Sequence, residues 1–296
     1  MMIVSQCRHY YLFLHCLWLP AMTGNVTDNA NDYITMSDNT LTLDHLSIGY
    51  HSRRHGCHMV AADICAQASP GSLTCLIGSN GTGKSTLLRT IAGLQQPLAG
   101  HIMVGTANTM TLTAPQMAQM VSIVLTARPT AQSITVEQTV ALGRAPYTGF
   151  WGNLTDADRH MVDDAIAAVG IDALRQRRVA SLSDGECQKV MVAKALAQAT
   201  PVILLDEPTA FLDFGATADL MLMLRQLAHH EGKTIVLSTH DIATALQTAD
   251  CLWMLSSKGI IAGSPQQLAA DGHITEYIGT NHAELDTKTL CIRMRV

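Results

Sequence analysis

One motif constrains the fold of this chain more than any other feature. The apolar run Leu73–Ile77 is followed at once by GSNGTGKST at residues 78–86, and then by a segment with helical spacing that Gly93 is placed to end. This is the P-loop pattern, G-x4-G-K-S, in the strand–loop–helix setting that it requires. Backbone N–H groups of such a loop surround phosphate oxygens, and the helix N-terminus adds partial positive charge. The motif therefore predicts a nucleoside triphosphate site inside an α/β fold.

The residue types in this loop match the chemistry of ATP and Mg²⁺. Lys84 is predicted to reach the β- and γ-phosphates and to assist the reaction, and the Ser85 hydroxyl is predicted to ligate Mg²⁺. The nucleotide-binding residues predicted in the loop are Gly78, Ser79, Asn80, Gly81, Thr82, Gly83, Lys84, Ser85 and Thr86.

Two further strands are predicted to end in reactive side chains. The apolar run at 202–205 ends in Asp206 and Glu207, and two carboxylates at the end of a buried strand are costly unless a cation or substrate meets them. We expect Asp206 to hold Mg²⁺, directly or through water, and Glu207 to orient and polarise the attacking water. Thr234–Ser238 leads to His240, whose neutral imidazole is predicted to contact the γ-phosphate. The alternatives are a solvated acidic turn and a structural histidine.

Composition excludes several classes of protein. The 296 residues are 48% hydrophobic and 15% charged, which favours a sizeable core and excludes general disorder. A net charge of −5 and an aromatic content of 4% argue against a partner that is nucleic acid. The longest apolar runs fall short of the roughly 18 residues of a membrane span. The eight cysteines show no CxxC pair, so we favour a reduced, cytosolic setting.

The segment LSDGE at 182–186 distinguishes among P-loop families. It opens an apolar-faced helix predicted to run to about Ala199, and AFLD at 210–213 follows the carboxylate pair. Together with the P-loop and LLDEP, these motifs resemble those of the nucleotide-binding subunit of an ABC transporter, over residues 40 to about 270. LSDGE departs from the usual LSGGQ at its third and fifth positions. The resemblance implies an α/β domain with a mainly parallel sheet core, an antiparallel β part and a helical subdomain.

The resemblance also implies an ATP site shared between two chains. Two subunits would pair head to tail, with ATP held between the P-loop of one and the LSDGE segment of the other. Ser183 and the Gly185 backbone N–H would bind the γ-phosphate across the interface. Asp213 lies in the D-loop motif of this family, and Tyr50 matches the aromatic residue that stacks on adenine. Because the chain has one set of motifs, we expect a homodimer or a paralogous ATPase partner.

Three residues depart from the family pattern. Thr126 stands where family members usually have a glutamine that touches Mg²⁺ and the attacking water, and we expect Thr126 to reach the metal only through a bridging water. Asp184 and Glu186 add negative charge beside the expected phosphate. Both are predicted in the first turn of a helix, where the helix dipole favours acids. We interpret all three as tolerated variants.

Residues 1–39 are predicted to be an extension outside the folded domain. The apolar run at 10–21 resembles the middle of a signal peptide. The favoured alternative is a natural start at Met22 or Met36, with the preceding residues an artefact of start-site assignment.

The remaining chain is predicted to form an ABC ATPase domain at 40–272 and a small appendage at 273–296. Its helical subdomain is expected at about 114–199. There, 156–169 is predicted to form a helix capped by Thr155.

A local similarity indicates the transport subfamily. VALGRAPYTGFWG at 140–152 is similar to importer subunits for iron–siderophore, haem and cobalamin. Its Tyr147, Phe150 and Trp151 either pack internally or form a docking surface. The resemblance implies an ATPase at the cytoplasmic face of the inner membrane that works with polytopic permease subunits and, indirectly, a periplasmic binding protein. The alternatives are a soluble ABC ATPase in DNA repair or translation, and the ATPase of an exporter.

A second cluster suggests a metal site. His51, His55, Cys57 and His58 lie close in sequence, and imidazole and thiolate are ligands for zinc-like ions. The favoured interpretation is a hairpin loop, because no second cluster of matched spacing accompanies them.

Overall fold

Strands that are buried on both faces form the centre of this fold. The computed structural model describes residues 39–52, 56–126, 133–149, 151–279 and 283–294. In it, β3 (Leu73–Ile77), β7 (Val202–Asp206) and β8 (Thr234–Ser238) are buried at every position. Alternate residues of these strands belong to two core clusters, one on each face. Strands covered on both faces have mostly apolar sequences without polar alternation, as these three do.

The main sheet has the strand order β10–β9–β3–β8–β7–β6. Its other strands are β6 (Val121–Val124), β9 (Cys251–Ser256) and β10 (Gly259–Gly263). Neighbouring strands run parallel except in the β9–β10 hairpin. The prediction of a mainly parallel sheet is confirmed.

An antiparallel sheet covers one face of the main sheet. Its strands are β1 (Leu41–Ser52), β2 (Gly56–Ala68), β4 (Ala99–Val104) and β5 (Ala107–Asn108), in the order β2–β1–β4–β5. Its apolar side chains pack with those of the P-loop helix and the main sheet in one cluster. The antiparallel part expected from the sequence is therefore present.

Most of the helices cover the other face of the main sheet. The helices of the described chain are α1 (Lys84–Ile91), α2 (Ala114–Met120), α3 (Val136–Ala141), α4 (Asp156–Ala168), α5 (Asp184–Ala197), α6 (Phe214–Glu231), α7 (Ile242–Thr248), α8 (Pro265–Ala270) and α9 (His273–Ile278). The region expected to be helical also contributes β6 to the sheet. β6 consists of the four residues VSIV, which are too few for a stable helix. The backbone of β6 pairs with that of β7 instead.

The C-terminal residues pack against the same core as the rest of the domain. After α9, β11 (Ala283–Asp286) and β12 (Cys291–Met294) form a hairpin. Ile274, Leu285 and Leu290 are buried in the cluster that covers the helical face. The domain limits 40–272 and 273–296 stay predictions, although these contacts tie the two ranges together.

The N-terminal hypotheses fall on residues 1–38, which lie outside the described residues. The apolar run at 10–21 and the alternative starts at Met22 and Met36 are among them. In the part of the chain that the structure describes, none of the helices is both long and apolar enough to cross a bilayer.

A buried ion pair joins three parts of the helical region. Arg144 Nε lies 2.8 Å from Asp158 Oδ1, and Arg144 Nη1 donates to the carbonyl of Ala197 at the end of α5. Asp158 also forms a capping box with Thr155 at the start of α4, which confirms the predicted cap. Burial raises the pKa of Asp158, but the hydrogen bonds from Thr155 and Arg144 outweigh burial and hold this pKa below its ordinary value.

We expect Arg144→Met to destabilise the fold by about 3–5 kcal/mol, because it leaves the Asp158 carboxylate buried without its partner. Urea denaturation at neutral pH measures the free energy of unfolding. The matched control is Arg159→Met, which removes an exposed pair with Asp156 and costs at most about 1 kcal/mol. Equal losses in the two variants would contradict this role of the buried pair.

Candidate functional site

The loop between β3 and α1 holds its lysine close to the main chain. Gly83 has φ +101°, and a Cβ there would lie 2.3 Å from Cγ1 of Val60, so the position requires glycine. The Lys84 side chain is buried, and its Nζ donates to the carbonyls of Gly78 at 2.8 Å and Ser79 at 3.4 Å. The P-loop thus places a cation and the N-terminus of α1 together.

Two serine hydroxyls converge on one carboxylate oxygen. Asp206 Oδ1 accepts hydrogen bonds from Ser85 Oγ of α1 at 2.9 Å and from Ser238 Oγ of β8 at 2.8 Å. Asp206 is buried, whereas Ser85 is half-buried. The structure therefore brings together two of the three predicted metal ligands, Ser85 and Asp206. Their oxygens are the donor type that Mg²⁺ prefers.

The backbone turns sharply at Glu207. Its φ is +47°, a left-handed conformation that costs a non-glycine residue about 1–3 kcal/mol. The Glu207 N–H donates to Ser238 Oγ at 2.9 Å, and its carbonyl accepts from the N–H of Ala210 at 3.2 Å. Ser238 therefore positions both the Asp206 carboxylate and the Glu207 main chain.

The third predicted metal ligand reaches the main chain of Asp206. Thr126 follows β6, the neighbour of β7, and its Oγ1 donates to the backbone carbonyl of Asp206 at 2.8 Å. The hydroxyl is thus close to the site, with its proton directed at a peptide oxygen. Its role toward Mg²⁺ stays a prediction.

Two predicted contacts of the nucleotide lie on exposed ends of strands. Tyr50 on β1 is 47% exposed, and its hydroxyl lies 2.6 Å from Thr86 Oγ1 on α1. This contact brings the ring to the edge of the P-loop helix. His240 lies two residues after the end of β8 and is exposed. In the loop itself, Thr82 Oγ1 donates to the carbonyl of Ser79, while Asn80 and Gly81 are exposed.

The LSDGE segment forms the start of α5. Ser183 is its N-cap and accepts from the N–H of Glu186, while the Glu186 carboxylate accepts from the N–H of Ser183 at 2.8 Å. The Ser183 backbone and side chain, together with Arg177, hold the pKa of Glu186 below its ordinary value. Glu186 thus stabilises the helix start, which is a more specific role than the dipole effect expected from the sequence.

The LSDGE segment lies against the segment that resembles a D-loop. A Cβ at Gly185 would lie 3.7 Å from the Cβ of Ala216 and 3.9 Å from Cδ2 of Leu212. Asp213 caps α6 by accepting from the N–H of Ala216 at 2.8 Å. Ser183, Gly185 and Asp213 therefore form a second group of predicted site residues. In the described part of the chain, no hydrogen bond joins this group to the P-loop group.

Sequence reasoning missed Ser238 and the capping box. The S-x-x-E spacing of Ser183 and Glu186 is a signal that could have revealed the capping box. Ser238 had no comparable signal, because its role depends on β8 lying beside β7. The histidine-rich cluster, for which the sequence favours a hairpin loop over a metal site, is only partly described. Cys57 and His58 are exposed, whereas His55 and the side chain of His51 lie outside the described residues.

Comparison with known proteins identifies the family. Residues 62–210 match the family model described as ABC transporter. An uncharacterized ABC transporter ATP-binding protein of Methanocaldococcus jannaschii is 38% identical over 229 residues, which cover 77% of each chain. This chain belongs to the ABC transporter family. It is an ATPase of that family, and the resemblance inferred from LSDGE and the P-loop is confirmed.

Several ATP-binding subunits of ABC transporters are similar to this one. The achromobactin transport ATP-binding protein CbrD of Dickeya dadantii is 35% identical over 77% of this chain and 83% of its own. The cobalamin import ATP-binding protein BtuD of Halobacterium salinarum is 38% identical over 70% of this chain and 52% of its own. Among solved structures, cbiO1 of Clostridium perfringens, part of the ABC transporter complex cbiONQ, has a TM-score of 0.69 at 25% identity, covering 82% of this chain and 95% of its own.

We expect Ser238→Ala to lower kcat of this ABC ATPase by about 10–100-fold, because it frees both the Asp206 carboxylate and the Glu207 main chain. Steady-state ATP hydrolysis measures kcat and KM. Ser122→Ala is the matched control, since Ser122 is a buried serine of β6 that bonds Thr200. Both variants lose about 1 kcal/mol of stability, and only Ser238→Ala loses turnover. A kcat equal to that of the control would exclude the positioning role.

Proposed function

We propose that this subunit hydrolyses ATP to energise an importer of iron–siderophore, haem or cobalamin. The observation that carries the proposal is the convergence of Ser85 and Asp206 at the N-terminal start of the P-loop helix. Such a centre suits Mg²⁺-assisted cleavage of ATP. The cargo class rests on relatives whose names refer to achromobactin transport and cobalamin import, and on the segment at 140–152.

Ser85 and Asp206 are the residues that would hold Mg²⁺ in this reaction. Their hydroxyl and carboxylate oxygens fit a hard cation, and the two side chains already lie 2.9 Å apart. When bound, Mg²⁺ neutralises negative charge on the phosphate oxygens of ATP. Lys84 would contribute a second positive charge to the β- and γ-phosphates from its buried position in the loop.

Glu207 would act on the attacking water. The left-handed turn and the hydrogen bond to Ser238 fix the Glu207 main chain from which its side chain starts. His240 would contact the γ-phosphate from the end of β8, and Tyr50 would stack on adenine. Thr126 would act through a bridging water.

A second subunit would complete the site. The N-terminus of α5 presents Ser183 and Gly185, and backbone N–H groups there suit an anion. Two aromatic side chains beside Asp213 are strongly exposed, Phe211 at 68% and Phe214 at 84%. Exposed aromatic residues of this kind are enriched at protein interfaces. These features support a head-to-tail dimer, formed by two copies or with a paralogous ATPase.

Glu207→Gln tests the shared site. The variant is expected to bind ATP and hydrolyse it at least roughly 100-fold more slowly, because the amide is a poor general base. It would therefore accumulate as an ATP-bound dimer. Size-exclusion chromatography with ATP and Mg²⁺ measures this state, with Glu231→Gln as the control at an exposed glutamate. A variant that binds ATP and stays monomeric would contradict the shared site.

The helical region is the proposed docking surface for membrane permease subunits. Trp151 is 73% exposed and Tyr147 is 39% exposed. Arg144 lies 3.9 Å from the ring centre of Tyr147, and the Tyr147 hydroxyl donates to the carbonyl of Gln198. These contacts fix the ring at the surface. We propose peripheral docking at the cytoplasmic face of the inner membrane, with a periplasmic binding protein acting indirectly.

Uptake by cells tests the importer function. Cells without this gene are expected to lose uptake of one labelled cargo among ferric siderophore, haem and cobalamin. The wild-type gene restores that uptake. The Lys84→Ala gene does not, because the β- and γ-phosphates of ATP lose the positive charge of the lysine.

Lys258→Ala is the matched control, since Lys258 is an exposed lysine in the β9–β10 turn. It should restore uptake fully. Unchanged uptake of all three cargoes in the deleted strain, with no second transporter for them, would contradict the importer proposal and leave the ATPase assignment intact.

A further inference from the structure

A group of metal-ligating side chains lies on the antiparallel sheet. Asp44, His45 and Cys65 each offer one ligand atom, and these atoms lie within 4.8 Å of one another. The group lies on β1 and β2, outside the residues assigned to ATP. We propose that Asp44, His45 and Cys65 form a binding site for a divalent transition metal ion of the zinc type.

A β-bulge brings the three side chains to one place. The register of β1 and β2 shifts between Leu43 and Leu46, so Asp44 and His45 together oppose the single residue Cys65. In a regular strand, consecutive side chains point to opposite faces. A bulge with two residues against one re-aims a side chain. Here it leaves Asp44, His45 and Cys65 exposed together.

A second bulge supplies a carboxylate for the histidine ring. The register shifts again between Leu46 and Ile48, where Asp63 and its neighbour on β2 together oppose Ser47. Asp63 has φ +52°, and His45 on β1 has φ +46°. Asp63 Oδ1 lies 2.6 Å from His45 Nδ1. With Nδ1–H donating to Asp63, the lone pair of Nε2 is available to a metal. A carboxylate that orients a histidine in this way is typical of metal sites.

The remaining contacts suit a metal-bound thiolate. The backbone N–H of His45 donates to Cys65 Sγ at 3.4 Å, so the sulfur lies next to the residue that bears the imidazole. His45 Nε2 lies 3.9 Å from Asp44 Oδ1. Ligands of tetrahedral zinc are about 3.3–3.6 Å apart, given bonds of about 2.0–2.3 Å. Small side-chain rotations therefore close the site.

The mixture of ligands selects the type of ion. One carboxylate, one imidazole and one thiolate form an O, N, S set that matches Zn²⁺ and its softer neighbours. The thiolate disfavours Mg²⁺ and Ca²⁺, which prefer oxygen. Three protein ligands leave a fourth position for water. The site lies on β1, the strand that also bears Tyr50.

Zinc binding to the purified chain tests the proposal. Excess Mg²⁺ is present so that Asp206 does not compete for zinc. Titration against a chromophoric chelator measures affinity, and Co²⁺ in place of zinc reports a thiolate ligand through its charge-transfer absorption. We expect one equivalent of zinc. Cys65→Ser and His45→Gly should weaken binding at least 10-fold, and Asp63→Asn by about 10–100-fold.

The variants separate loss of a ligand from loss of the fold. Glycine accepts the positive φ of position 45 without strain, so His45→Gly removes the ring and keeps the bulge. Cys57→Ser and His58→Ala are matched controls, because both side chains are exposed on the same strand. They should leave zinc affinity unchanged. Binding of much less than one equivalent of zinc to the wild type would overturn the proposal. So would full zinc affinity in Cys65→Ser and His45→Gly, or a loss of zinc affinity in the control variants alone.

Discussion

The hydrogen bonds to one carboxylate oxygen connect the P-loop helix to two strands of the main sheet. Asp206 Oδ1 accepts from Ser85 at the P-loop helix and from Ser238 on the neighbouring strand. Burying a carboxylate is costly unless hydrogen bonds compensate it. The sheet supplies the Ser238 bond because β7 and β8 are parallel neighbours whose carboxyl ends meet at one edge, and α1 supplies the Ser85 bond. Any movement of α1 relative to the sheet therefore changes the surroundings of the proposed Mg²⁺ ligand.

The same arrangement explains why departures from the family pattern are compatible with the fold. Thr126 is shorter than glutamine, yet its hydroxyl bonds the main chain of Asp206, so β6 stays connected to the site. Glu186 adds a charge near the expected phosphate, but its carboxylate is committed to the Ser183 N–H. Arg177 lies 3.4 Å from that carboxylate and offsets part of its charge. Thr126 and Glu186, which both depart from the family pattern, therefore each form a hydrogen bond that stabilises the local structure.

Local sequence patterns predicted individual helices, strands and loops. The contacts between them depend on strand pairing between distant parts of the chain, which local patterns do not indicate. The P-loop, β7 and the cap at Thr155 were predictable because each depends on residues adjacent in sequence. β6 lies inside the range expected to be helical, and a run of four residues with three apolar ones does not distinguish a strand from a helix. Ser238 gained its role only from the pairing of β7 with β8. The metal-ligand group on β1 and β2 requires two register shifts that no local pattern indicates.

A left-handed backbone conformation indicates a candidate functional site in this chain only where polar side chains also lie close together. Five described non-glycine residues have positive φ: His45, Asp63, Ala199, Glu207 and Leu290. Ala199 lies just after the C-terminus of α5, and its N–H donates to the carbonyl of Leu196 at 2.8 Å, which is ordinary helix termination. Leu290 lies in the turn before β12 and is buried as an apolar side chain. The other three are acidic or imidazole residues beside further ligand-type atoms. Strain combined with such neighbours, rather than strain alone, supports the proposed roles of Glu207 and of the metal-ligand group.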